Sequence, residues 1–256
     1  MTPDAVLAAF DAQIRRHPGP SGPHEVVERA DGVVRILSAG WAGVTWSDLD
    51  GSTADAAIAA QVDRFAELAR PWEWKHYSYD EPSDLAARLL AASLAPEPAE
   101  ALMVAEIADL ALDVSPPSGI ELLAVTDARG VEALVRVHDD VFGGDHSELG
   151  AQVLAALSQD PPGAAAVIAS FEGTAVAAGR VEFREGTDFA SIWGGGTLPA
   201  WRRRGVFRSM VAHRAALAAA RGFRYLQVDA SPDSRPILRR LGFVELATTT
   251  PFVFPG

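Results

Sequence analysis

The stretch TLPAWRRRGVF, residues 197–207, brings three consecutive arginines up to a glycine where a strand pattern gives way to a helix pattern. A helix that begins near Val206 would direct its free backbone N–H groups and the positive end of its dipole at this turn. Gly205 lets a ligand approach the backbone closely, and arginine side chains offer forked donors that suit phosphate oxygens. The stretch therefore predicts a binding site for a pyrophosphate.

The distribution of charge supports an anionic ligand. Residues 189–228 contain seven arginines and no Asp or Glu, whereas the whole chain of 256 residues carries a formal net charge of −12. Solvated helix faces normally mix both signs of charge, so a segment of one sign in an acidic protein favours a bound anion. A plain basic surface patch is the alternative. The overall acidity argues against general binding to nucleic acid or to anionic membranes.

Composition excludes several classes of protein. The chain has no cysteine, so it has no disulfide framework, no thiolate nucleophile and no zinc–thiolate site. No apolar run approaches the roughly 20 residues of a membrane span, and residues 1–16 lack the layout of a signal peptide. With 48% hydrophobic residues the chain can build one large core or two small ones. We expect a soluble, cytoplasmic protein.

A Pro-Pro-Ser-Gly cluster within residues 112–123 separates two patterned regions. The second region alternates strand and helix patterns, and the first shows a fainter version of the same order. We therefore predict two domains, residues 1–114 and residues 119–256.

The two regions also share short junctions. LARPW at residues 68–72 resembles AARGF at residues 219–223, and LLAASL at residues 89–94 resembles LRRLGF at residues 238–243. Helix-to-strand junctions in alanine-rich chains can look alike by chance, which is the alternative. We favour an internal duplication whose first copy has degenerated.

The arginine stretch, the later RLGF and the strand and helix order between them resemble the GNAT superfamily of acyl-CoA-dependent N-acetyltransferases. The resemblance covers residues 120–254. The pyrophosphate motif of that superfamily reads Gln or Arg, two variable residues, Gly, one variable residue, then Gly or Ala. Residues 202–207 match it except at Phe207, which is bulky where a small residue is usual. The resemblance implies an α/β fold in tandem arrangement, with a mixed, mostly antiparallel sheet, a central parallel strand pair that splays apart, and flanking helices.

The resemblance also implies acetyl-CoA as co-substrate. In this superfamily the strand before the motif carries a bulge and diverges from its parallel neighbour, and the pantetheine arm enters the gap. Three consecutive glycines, residues 194–196, suit such a bulge. Backbone groups of Thr197 and Leu198 would pair with the pantetheine amides, and Ser231 stands where the superfamily has a cofactor-contacting asparagine. The residues assigned to acetyl-CoA are Gly196, Thr197, Leu198, Arg203, Arg204, Gly205, Val206, Phe207, Arg208 and Ser231.

Catalysis needs a base, because an alkylamine has a pKa near 10 and is protonated at neutral pH. The candidate bases are Glu182 and Asp229. A salt bridge with a nearby arginine is the alternative for Glu182, and exposure to solvent is the alternative for Asp229. The proton donor of the superfamily is a tyrosine in the pattern Tyr-x-x-x-Gly-Phe. This chain has Leu238 in that place, so that step of the mechanism does not carry over.

Two histidines lie where this superfamily builds its acceptor pocket, between the first two helices of the second region. His138 and Asp139 precede a Gly-Gly turn, and Asp145 and His146 follow it. We expect no metal site from these four residues. His213, two turns into the helix after the arginines, is expected to be structural or exposed.

The predicted function is transfer of an acetyl group from acetyl-CoA to a primary amine of a small molecule or peptide. The alternative is a catalytically inactive acyl-CoA-binding module with a regulatory or sequestering role, which Leu238 suggests. A Rossmann-like dinucleotide enzyme fails on its glycine pattern. The expected partner is a small-molecule amine rather than nucleic acid or membrane, and the chain is expected to be a monomer or homodimer.

The first region should bind no CoA. Where the second region has its arginines, the first has VTWSDLDGSTADAAI, with Asp48, Asp50 and Asp55 and no basic residue. Carboxylates at a helix start interact well with the dipole but would repel a pyrophosphate.

Overall fold

The computed structural model describes residues 2–19, 25–38, 41–68 and 70–255. In chain order the strands are β1 (Val26–Ala30), β2 (Val33–Leu37), β3 (Ala42–Ser47), β4 (Trp72–Tyr77), β5 (Ala95–Pro96), β6 (Glu100–Glu106), β7 (Ile120–Val125), β8 (Ala164–Phe171), β9 (Thr174–Phe183), β10 (Phe189–Thr197), β11 (Tyr225–Ala230) and β12 (Val244–Phe254). The α-helices are α1 (Pro3–Phe10), α2 (Ala54–Ala66), α3 (Leu85–Ala91), α4 (Ala128–Phe142), α5 (Ser147–Leu157), α6 (Val206–Ala220) and α7 (Arg235–Arg240).

The chain packs into two compact units. The first consists of Met1–Met103, Asp229–Leu238 and Val244–Gly256, and the second consists of Val104–Val228 and Arg239–Phe243. The first unit thus includes residues from the end of the chain. The domain limits predicted along the chain, residues 1–114 and 119–256, stay a prediction.

In the first unit, β1, β2 and β3 form an antiparallel meander, and α2 leads from β3 to a parallel neighbour, β4. The last strand, β12, pairs antiparallel with β4 over six residues, from Thr249 opposite Tyr77 to Phe254 opposite Trp72. The side chains of Trp72 and Trp74 alternate with polar ones along β4 and are buried. They pack with apolar residues of α2, α3 and β12 in one core cluster, and this burial holds the parallel pair in place.

In the second unit, β7, β8, β9 and β10 pair antiparallel in that order, and β11 pairs parallel with β10. Side chains alternate between the two faces of the sheet. Ala166 and Ala178 pack with α4 and α5, whereas Val167 and Ala177 pack with α6. The helices therefore cover opposite faces, and the predicted mixed sheet with flanking helices and one central parallel pair is confirmed.

Local predictions held where glycine or charge marked the boundary. The hairpin turn between β8 and β9 falls at Glu172 and Gly173, both with positive φ, and α6 begins at Val206 as expected. The strand at residues 26–30 was not predicted, because its exposed sequence VVERA has little hydrophobic alternation. Of the helices that the structure describes, none is both long and apolar enough to span a bilayer.

Candidate active site

The three consecutive glycines form a β-bulge on β10. The pairing of β10 with β9 shifts between Trp193 and Gly196, so Gly194 and Gly195 together lie opposite the single Gly179. Gly194 has a φ of +59°, in the left-handed region that favours glycine. The bulge that the glycines predict is confirmed.

Beside the bulge, β10 loses its parallel neighbour. The described pairing of β10 with β11 ends at Ser191 opposite Gln227, where the Gln227 side-chain amide donates to the Ser191 hydroxyl. The remaining six residues of β10, 192–197, have no described ladder on that side. The strands thus diverge as predicted, and β10 presents backbone groups for a ligand to pair with.

At the end of β10, some backbone groups are already hydrogen-bonded within the protein and others are available to a ligand. Leu198 donates its N–H to Val176 O at 2.9 Å and accepts from the Trp201 N–H at 2.8 Å. Because residues alternate along the strand, the backbone groups of Thr197 point away from β9. The Thr197 carbonyl accepts a hydrogen bond from Arg202 Nε at 3.1 Å. The contacts of Gly196, Thr197 and Leu198 with acetyl-CoA stay a prediction.

The turn after β10 has the features of an anion site. Gly205 precedes α6 with a φ of +88°, and the conformation rather than space requires glycine, since an added Cβ would have only Pro117 within 4 Å, at 3.7 Å. Arg203, Arg204 and Arg208 are exposed, and no described carboxylate pairs with them. Arginines without counter-ions at the start of a fifteen-residue helix suit a pyrophosphate.

Phe207, the departure from the superfamily motif, does not fill this turn. A Cβ added to Gly195 would lie 3.0 Å from Phe207 Cε2, so the ring packs beside the bulge. Val206 is buried beneath the sheet face. The structure therefore reconciles a bulky residue at position 207 with an open anion turn.

His138 holds the bulge from the face covered by α4. Its Nε2 donates to Gly194 O at 2.9 Å, and this carbonyl fixes the tautomer because it can only accept. Burial lowers the pKa of His138 to about 4, although the bond to Gly194 opposes the shift. The ring is neutral at pH 7, and no sequence pattern indicated this contact.

Arg214 holds the bulge from the opposite face, which α6 covers. Its side chain is 1% exposed and donates to the backbone carbonyls of Met210, Arg180 and Trp193. The space for it comes from missing side chains, since a Cβ on Gly179 or Gly195 would lie within 3.3 Å of the guanidinium. Burial, with repulsion from Arg180, lowers the pKa of Arg214 to about 10.

Neither candidate base from the sequence is a free carboxylate. Glu182 accepts from Arg180 Nε at 2.7 Å, the alternative considered for it. Asp229 belongs to the first unit, where its side chain is 5% exposed and lies 3.1 Å from Lys75 Nζ. Burial alone would lower the pKa of Lys75, but Asp229, Glu73 and Glu100 outweigh it and raise that pKa. The catalytic roles of Glu182 and Asp229 stay predictions.

Two other positions taken from the superfamily pattern lie in the first unit. Leu238 is buried in α7 and offers no proton. Ser231 is exposed, with its Oγ 3.2 Å from Ser234 Oγ, and its assignment to acetyl-CoA stays a prediction. Across the part of the chain that the structure describes, no group of three or more His, Cys, Asp or Glu side chains is placed to hold a metal ion.

Comparison with known proteins shows what this site is similar to. Residues 131–243 match the family model Acetyltransferase (GNAT) family, so this part of the chain is similar to a GNAT domain. The match includes the bulge, the arginine turn and α6. Among curated proteins, none matches this chain in sequence.

Solved structures show the same fold over nearly the whole chain. A GCN5-related N-acetyltransferase from Kribbella flavida has a TM-score of 0.70 at 21% identity, covering 99% of this chain and 94% of its own. A functionally unknown conserved protein from Staphylococcus epidermidis has a TM-score of 0.67 at 11% identity, with coverages of 96% and 97%. A tandem GNAT protein from the clavulanic acid biosynthesis pathway has a TM-score of 0.63 at 13% identity, with coverages of 93% and 85%. At these identities the likeness shows the fold, here including a tandem GNAT arrangement.

Proposed function

We propose that this protein transfers an acetyl group from acetyl-CoA to a primary amine of a small molecule or peptide. The observation that carries the proposal is the junction of β10 and α6. A glycine bulge at the point where β10 leaves β11 is followed within ten residues by a helix start with three exposed arginines. The pyrophosphate would bind at the helix start, and the pantetheine arm would run along β10 towards the bulge.

The bulge supplies what the thioester needs. A backbone N–H at the bulge, around Gly195 to Thr197, would donate to the thioester carbonyl and stabilise the negative charge that develops on its oxygen. Because His138 and Arg214 fix the carbonyls of Gly194 and Trp193 from opposite faces, these peptide groups are held in one orientation before the substrate binds. Preorganised donors of this kind stabilise a transition state without reorganisation.

The departing thiolate needs no tyrosine. A thiol has a pKa near 8.5, so the thiolate is a moderate leaving group that can depart unprotonated or take its proton from water. Leu238, buried in α7, is therefore compatible with turnover.

Gly205→Glu tests the pyrophosphate site. The substitution adds a negative charge and a Cβ at a left-handed position, and calorimetry should show CoA affinity reduced by at least about tenfold, the loss of one charge-assisted hydrogen bond or more. Gly222→Glu is the matched control, because Gly222 also has a positive φ and open space but lies at the other end of α6. Unchanged affinity in Gly205→Glu would end the proposal. If the protein binds CoA but releases no free CoA thiol with any amine of a panel, the protein is instead the inactive acyl-CoA-binding module.

A further inference from the structure

We infer that His146 is the general base that takes the proton from the acceptor amine, and that Asp139 is the residue that positions it. This inference rests on the proposed N-acetyltransferase function. It assigns the role that Glu182 and Asp229 were predicted to fill, and all of its residues lie in the second unit.

Asp139 fixes the orientation of the His146 ring. His146 Nδ1 lies 2.9 Å from Asp139 Oδ1, and the backbone N–H of His146 donates to the same oxygen at 3.0 Å. An ionised carboxylate only accepts, so the proton of the neutral ring is on Nδ1 and the lone pair is on Nε2. Gly143 and Gly144, both with positive φ, reverse the chain after α4 and return His146 to the last turn of that helix.

His146 lies beside the two aromatic side chains that cover the bulge. Its ring centroid is 5.6 Å from that of His138 and 6.2 Å from that of Phe142. His138 bonds the Gly194 carbonyl, and a Cβ on Gly196 would lie 3.2 Å from the Phe142 ring. The base is therefore at the edge of the bulge, on the face covered by α4.

A general base must also be accessible to the acceptor amine. The His146 side chain is 26% exposed, so a soluble amine can reach the ring directly or through one water. Phe142 is 55% exposed and offers an apolar surface for the carbon skeleton of that amine. A histidine that is partly exposed, and that a carboxylate orients, has the arrangement of a general base with its orienting group.

The other candidates near the bulge lack one of these properties. His138 is 2% exposed and spends its Nε2–H on Gly194, and Glu182 is ion-paired with Arg180. The Glu182 carboxylate is therefore already engaged by the Arg180 guanidinium.

The Nε2 lone pair of His146 takes one proton from the ammonium form of the amine, and the freed nitrogen lone pair attacks the thioester carbon. The C–N bond forms as the carbonyl electrons move to oxygen. Their return breaks the C–S bond and releases the CoA thiolate, while the second nitrogen proton passes to solvent or to the thiolate. Asp139 and Asp145 are charged groups next to His146. The positive charge of Arg180 acts on the neighbouring His138.

His146→Gln separates this role from a structural one when it is assayed with two acceptors. We use the best primary alkylamine of a panel and the alkoxyamine with the same carbon skeleton, whose nitrogen is already neutral at the assay pH. The variant should lose about 100-fold or more in kcat/KM with the alkylamine, the usual contribution of a general base, and less than about fivefold with the alkoxyamine. His213→Gln on α6 is the matched control and should leave both values unchanged.

Asp139→Asn provides a second variant should His146→Gln fail to bind CoA by calorimetry. It should reduce kcat with the alkylamine by about tenfold or more, keep the KM for acetyl-CoA, and again spare the alkoxyamine. Equal losses with both acceptors, or no loss, would overturn the inference while leaving the proposed function intact. A wild-type protein that releases no CoA thiol with any amine would instead overturn the proposed function.

Discussion

At the scale of single residues, the arginines between β10 and the end of α6 include exposed side chains and a buried one. Arg203 and Arg204 stand out because no carboxylate is near them in the chain, and the structure leaves them exposed. Arg214 belongs to the same run of arginines but lies buried against the bulge. The space for the Arg214 side chain depends on Gly179 in β9, which is distant from Arg214 in the chain. The local sequence around Arg214 therefore does not indicate that it is buried.

The lowered pKa of His138 predicts how the free energy of unfolding depends on pH. Its pKa is about 4 in the folded protein, below the usual value near 6.5, so between these values the unfolded chain binds a proton that the folded chain does not. The stabilisation is complete above pH 6.5 and is lost as the pH falls towards 4. The free energy of unfolding, measured in urea at each pH, should therefore fall less steeply in His138→Gln, whose amide can still donate to Gly194.

His76 and His213 also have a pKa lowered by burial, so the informative quantity is the difference between wild type and His138→Gln. Arg180, His146 and Asp139 are the charged or titratable groups that act on His138. Parallel pH curves for the two proteins would show that His138 is not buried in its neutral form.

At the scale of elements, the glycine run and the arginine run predicted the order bulge, turn, helix, because each demands a backbone conformation that few other sequences adopt. What the pattern left open was the contact between elements. The loop from Gly143 to His146 reads as a simple linker, yet it returns a histidine to α4. Such a return depends on two positive φ angles acting together, and only the folded chain shows it.

Gly179→Ala tests how β9, β10 and α6 fit together at the bulge. The added Cβ would lie 2.8 Å from Arg214 Nη1, and three backbone carbonyls hold that guanidinium in place. We expect a loss of about 1–3 kcal/mol in the free energy of unfolding, the usual cost of overpacking a core. In an Arg214→Lys background the clash is removed, so the same substitution should cost clearly less. Additive losses in the double variant would contradict this packing.

At the scale of the whole molecule, the two units repeat one order of elements. In the first unit an antiparallel meander, β1 to β3, is followed by α2 and by a parallel strand, β4. In the second, β8 to β10 are followed by α6 and by a parallel strand, β11. The shared order supports the predicted duplication, which the short matches at the helix-to-strand junctions had suggested.

We predict that the chain binds one CoA. In the first unit the start of α2 is occupied by the protein's own carboxylate, since Asp50 accepts from the N–H groups of Ser52 and Thr53. Hydrogen bonds, first of all from the Ser52 hydroxyl, lower the pKa of Asp50 to about 2, so it stays charged at any working pH. A pyrophosphate would meet this charge and that of Asp48 and Asp55, and it would be repelled. Calorimetric titration should therefore give one equivalent of CoA per chain, and Gly205→Glu should remove it; a second equivalent, or one that survives Gly205→Glu, would show that the first unit binds CoA.

We also predict that a fragment of residues 1–113 does not fold fully on its own. This fragment lacks β12, which pairs with β4 over six residues and contributes Phe252 to the core around Trp74. Without it, β4 keeps only β3 as a partner and becomes an edge strand that carries two tryptophans, the kind of edge that pairs with other chains. We expect the fragment to be poorly soluble or partly unfolded by circular dichroism, and adding residues 244–256 through a flexible linker to improve its folding. A monomeric fragment that unfolds cooperatively would show instead that the first unit is complete without the end of the chain. If that fragment bound CoA, three carboxylates at a helix start would not suffice to exclude a pyrophosphate.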